Sequence, residues 1–146
     1  MHAMGEMCGW TALVAWCGWL SVIDVRTRRL PNLLTLPGAA VILAVAAVAG
    51  HPRAAVTGAV LLAGLYLVAH LVAPAALGGG DVKLAIGLGA VTGVAGAQVW
   101  LAAAVGAFAL TAAAGVGAPV LGRRVRSLPH GPSMCLATVL ALAAGA

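Results

Sequence analysis

Three acidic side chains occur in this sequence: Glu6, Asp24 and Asp81. Glu6 precedes the first apolar run and reads as a solvated charge near the terminus. The other two stand at the ends of apolar runs. Asp24 leads into Arg26, Arg28 and Arg29, while Asp81 follows Gly78, Gly79 and Gly80 and precedes Val82 and Lys83. An ionised group at the bilayer centre costs roughly 2.5–3.5 kcal/mol on insertion scales, so acids at membrane depth are functional candidates. Two carboxylates brought together cannot both ionise freely, and the pair shares a proton. The ionised member can take a proton from water while the protonated member polarises a substrate carbonyl. That is the chemistry of an aspartic protease, and it calls for no metal and no cofactor. Plainer roles exist for each acid alone: Asp24 can pair with Arg28 one turn on, and Asp81 can cap a helix beside Lys83. They account less well for two acids at one depth on one side.

The glycines beside Asp81 admit φ > 0 and leave no side chain in the way, which would let an extended substrate backbone approach. The plainer alternative is a flexible turn. A phosphate cradle is a poor fit, because G-x-x-x-x-G-K-[ST] is absent and no strand precedes Lys83.

The elements that must position these acids are membrane helices. Of 146 residues, 63% are hydrophobic and 8% charged, and mean hydropathy is +1.10. A soluble domain carries about 25% charged residues, so lipid is the main solvent here. The 20 glycines suit close helix packing. Apolar runs cover about 7–23, 33–50, 54–77, 84–97 and 98–121, with a last run reaching 146. The expectation is one all-α, polytopic transmembrane domain over 1–146 with about six helices, or five if the fourth and fifth merge. The first seven residues hold no Lys or Arg, so the first run reads as a spanning helix and not a cleaved signal peptide.

The basic residues support six spans. If each run crosses, Arg26, Arg28, Arg29, Lys83, Arg123, Arg124 and Arg126 fall on one side and only Arg53 on the other. The loaded side is then cytoplasmic and the N-terminus outside. This placement in short breaks also argues against nucleic acid as the partner of a +5 chain. Cys8, Cys17 and Cys135 form no C-x-x-C pair and read as packing residues. His70, inside the third run, suits helix packing or a hydrogen bond better than metal ligation. Trp16 and Trp19 are expected against lipid or neighbouring helices.

Three segments resemble the type IV prepilin peptidases, a family of G-x-G-D membrane aspartyl proteases. The stretch from Asp24 through Leu30, Pro31, Asn32, Leu34 and Thr35 is similar to the family's first-aspartate motif. Gly78-Gly79-Gly80-Asp81-Val82-Lys83-Leu84 matches G-x-G-D-hydrophobic-Lys-Leu. Leu128-Pro129-His130-Gly131-Pro132 is similar to the Pro-aromatic-Gly-Pro turn before the last helix, with His130 where an aromatic is commoner.

The resemblance implies cleavage of the basic leader of prepilins or pseudopilins on the cytoplasmic face of the bacterial inner membrane. Asp24 and Asp81 would be catalytic. Pro31, Asn32, Gly78, Gly80, Lys83, Pro129, Gly131 and Pro132 would bind substrate or support the site, with Lys83 a candidate for an acidic residue near the mature pilin N-terminus. The basic breaks would suit anionic lipid heads. Long members carry a cytoplasmic domain with two C-x-x-C pairs that methylates the new N-terminus. With no such pairs, this chain resembles the short, protease-only form associated with Flp/Tad pili, and no methyltransferase activity is expected. Two other readings compete. A small proton- or cation-coupled transporter or channel subunit would place its acids near mid-bilayer in repeat-like halves. An assembly protein would use small-residue faces, for example Gly89-x-x-x-Gly93, to hold partner helices.

Overall fold

A computed structural model describes residues 2–120 and 129–145, and the side chains of 7–117 and 129–145. Arg123, Arg124, Arg126 and Leu128 lie outside the described residues. Among the described residues six helices run in chain order: α1 (His2–Thr27), α2 (Asn32–Val48), α3 (Pro52–Val72), α4 (Gly79–Ala95), α5 (Ala97–Val120) and α6 (Gly131–Gly145). Among the described residues there is no strand. Three helical stretches, Met7–Thr27, Pro52–Val72 and Ala97–Gly117, are long and apolar enough to cross a membrane, and α2 and α6 are shorter apolar helices.

The fourth and fifth runs do not merge. Gly96 between them has φ +116°, a conformation that L side chains rarely adopt, and its N–H bonds the Thr92 carbonyl at 3.1 Å. Gly50, at φ +84°, turns the chain from α2 into α3. Two boundaries differ from expectation in a way that matters to the acids. α1 continues past residue 23 to Thr27, so Asp24 belongs to its last turns, and α4 starts at Gly79, so Asp81 lies in its first turn.

The short α4 is the centre of the bundle, packed against α2, α3, α5 and α6. Its glycines make this approach possible. A Cβ on Gly89 would lie 2.5 Å from the Gly58 carbonyl oxygen, one on Gly93 2.6 Å from that of Ala54, and one on Gly87 3.3 Å from Ala39 Cα. Gly89-x-x-x-Gly93 is thus consumed by α3 of the same chain. α2 contains Pro37, which cannot donate to the helix ladder. Beside this interruption the Trp16 indole N–H donates to the Leu34 carbonyl at 3.0 Å, tying α1 to α2. Trp100 ties α5 to α3 by donating to the Gly58 carbonyl at 3.1 Å. Trp19 is exposed on the bundle surface, as expected of a lipid-facing ring.

Candidate active site

Both aspartates are buried, Asp24 at 6% exposure and Asp81 at 7%, yet both line one cavity of about 400 Å³. The C-terminal end of α1 and the N-terminal ends of α2 and α4 meet there. Burying a carboxylate requires partners, and each finds a glycine amide. The Gly131 N–H donates to Asp24 Oδ2 at 3.1 Å across 107 residues, and the Gly78 N–H donates to Asp81 Oδ2 at 3.0 Å. One oxygen of each acid is thereby fixed by backbone.

The local sequence explains this placement. α1 closes with the Arg28 N–H on the Asp24 carbonyl at 2.7 Å, and Arg28 takes φ +53°, the left-handed turn that ends many helices. The chain then turns through Leu30 to Pro31, whose carbonyl accepts the Leu34 and Thr35 amides as α2 begins. Gly78 is the residue before α4, and Asp81, three residues on, reaches back to its amide in the manner of an acid in a helix first turn. Neither Gly78, at φ −79°, nor Gly79 or Gly80 inside α4 has the positive φ that the sequence suggested. Their value is lack of bulk: a Cβ on Gly80 would lie 2.9 Å from Leu30 Cβ.

The residues expected to support substrate divide in two. Asn32, Gly78, Gly80, Lys83 and Pro129 line the cavity with the aspartates, and Lys83 Nζ donates to Asn32 Oδ1 at 2.7 Å across its exposed edge. Pro31, Gly131 and Pro132 do not line it. They start α2 and α6, and Gly131 acts through its amide. Arg28, Arg29 and Leu30 also line the cavity and were not singled out as substrate contacts by the sequence. Arg28, Arg29 and Lys83 give its edge a basic character. Among the described residues no cluster of His, Cys, Asp or Glu could hold a metal ion.

His130 shows why a histidine can replace an aromatic residue before α6. Its ring lies 5.4 Å from Tyr66 and 5.3 Å from Phe108, the packing an aromatic would provide. It is also hydrogen bonded at both nitrogens, Nε2 to the Tyr66 hydroxyl at 2.9 Å and Nδ1 to the Thr111 hydroxyl at 2.6 Å. Burial pushes its pKa down to about 4, so the imidazole is neutral at pH 7. The next residue is Gly131, so this cluster anchors the start of α6, the helix that presents the amide holding Asp24. His70 makes the hydrogen bond expected of it, through Nδ1 to the Leu77 carbonyl at 2.6 Å. Tyr66 and His70 lie one helical turn apart on α3, and that i, i+4 spacing of polar rings in an apolar run was the available signal for both.

The family model of the type IV leader peptidases matches residues 11–120, which include both aspartates and the glycine triplet. The chain belongs to the type IV leader peptidase family. Its protease activity and membrane location follow in general terms from that membership and from the three long apolar helices. No curated protein and no solved structure matches the chain.

Proposed function

We propose that this leader peptidase is an aspartyl endopeptidase that removes the leader of prepilins or pseudopilins at the cytoplasmic face of the inner membrane. The observation that carries the reading is the burial of Asp24 and Asp81 on one cavity, each held by a glycine amide. In this mechanism a water between the carboxylates attacks the scissile carbonyl. The ionised aspartate takes the water proton, and the protonated one donates to the carbonyl oxygen. Collapse of the tetrahedral intermediate returns a proton to the leaving amine. Water is one reactant, so the step balances with no other reagent.

The basic edge formed by Arg28, Arg29 and Lys83 faces lipid headgroups in this reading, and Lys83 meets an acidic side chain near the mature N-terminus. The excess of basic residues on this side supports a cytoplasmic orientation with the N-terminus outside.

The test is co-expression with a prepilin from the same genome, scored by gel shift and N-terminal sequencing of the product. Wild type, Asp24→Asn and Asp81→Asn are compared at equal membrane levels. Cleavage by wild type alone is the expected result. Cleavage by both variants would remove the aspartates from the mechanism, and an inert wild type would return weight to a proton- or cation-coupled transporter.

A further inference from the structure

We infer that His70 is a positioning residue for Asp81, acting through the peptide group between Leu77 and Gly78. The inference rests on the two-aspartate reading above. A carbonyl oxygen only accepts, so the 2.6 Å contact between His70 Nδ1 and the Leu77 oxygen puts the proton on Nδ1. The Leu77 carbonyl and the Gly78 amide are two ends of one planar unit. That same amide donates to Asp81 Oδ2 at 3.0 Å. The connection therefore runs from the imidazole N–H to the carbonyl, across the peptide plane, and from the amide N–H to the carboxylate. A donor on the carbonyl fixes the plane and polarises it, which strengthens the amide as a donor.

Nothing in the adjoining helices does this for Leu77. α3 ends at Val72 and α4 begins at Gly79. The Asp81 amide bonds the Gly78 carbonyl at 3.1 Å, which leaves the Leu77 carbonyl outside the α4 ladder. Asp24 presents the opposite case. The carbonyl preceding its glycine donor, that of His130, accepts the Met134 amide at 3.1 Å inside α6, so the helix itself holds that plane. His70 sits behind the loop and does not line the cavity, with Nε2 about 4.0 Å from where a Gly79 Cβ would stand. It is placed to orient Asp81 and not to touch substrate.

The experiment compares wild type, His70→Leu and His70→Asn in detergent micelles, with folding checked by thermal unfolding. Asparagine can present its amide nitrogen near the position of Nδ1, whereas leucine cannot donate. Prepilin cleavage should show kcat down about tenfold in His70→Leu with KM unchanged, and largely recovered in His70→Asn. The Gly78 amide proton resonance should move upfield in His70→Leu and return in His70→Asn. In wild type, the imidazole nitrogen shifts should report a protonated Nδ1. The opposite tautomer, or a Gly78 resonance indifferent to His70→Leu, overturns the inference whatever the kinetics. Loss of kcat that His70→Asn does not recover also overturns it. If wild type fails to cut prepilin, the leader-peptidase reading falls, and the two resonance measurements still decide the His70 connection.

Discussion

Gly131→Ala separates the fold from the chemistry more sharply than any substitution of the aspartates. A Cβ at this position would lie 2.7 Å from Asp24 Oδ2 and 3.2 Å from Asp24 Cγ. The obstructed atom is the end of a side chain, so the bundle itself need not move. Asp24 must instead turn away from the amide that holds it. Stability should therefore fall by no more than about 2 kcal/mol, because alanine suits the first turn of α6 better than glycine and offsets part of the lost hydrogen bond. Losing a hydrogen bond to a charged group is worth roughly 1.5–3 kcal/mol. If the bound geometry of Asp24 carries over to the transition state, the rate falls roughly ten- to a hundredfold. The assay is the initial rate of prepilin cleavage in proteoliposomes, beside the unfolding temperature of the same preparation. Gly64→Ala is the control, because a Cβ there meets nothing within 4 Å. It should cleave at the wild-type rate. A Gly131→Ala enzyme at full rate would refute the argument, as would one whose rate fell only in proportion to its folded fraction.

Gly89→Ala should act the other way, because its Cβ meets the Gly58 carbonyl oxygen at 2.5 Å and Leu62 Cβ at 2.8 Å. α3 and α4 must part, at about 1–3 kcal/mol, seen as a lower unfolding temperature; an unchanged one refutes the close packing. Replacing His130 with phenylalanine should flatten the acid side of the stability profile. His130 is near 4 in the fold and about 6.5 unfolded, so the unfolded chain binds more protons between those values. Wild-type stability falls as pH drops through that window, and His130→Phe lacks this loss; parallel unfolding curves from pH 7 to pH 4 would contradict it. Lys83→Met removes only an exposed hydrogen bond to Asn32, so stability should shift by less than about 0.5 kcal/mol. KM should rise several-fold at constant kcat, and an unchanged KM would exclude Lys83 from substrate binding.

The sequence by itself determined the solvent and the fold class. A chain with 8% charged residues must satisfy its backbone internally, which restricts a lipid-embedded segment such as these to helix. The apolar runs gave six helices because hydrophobicity is a local property. It also singled out Asp24, Asp81 and the glycine triplet, because acids are scarce enough in this chain to count. Tertiary structure decided what holds those acids. The Gly131 amide reaches Asp24 from 107 residues away, and no periodicity within a helix encodes such a pairing. The role of the glycines was decided there too: conformational freedom is a property of one residue, but the bulk excluded at Gly80 and Gly89 depends on which helix lies opposite. The two histidines show the same division. His70 and His130 are isolated polar rings in the sequence, and only folding brings His70 to the Leu77 carbonyl and His130 to Tyr66, Phe108 and Thr111.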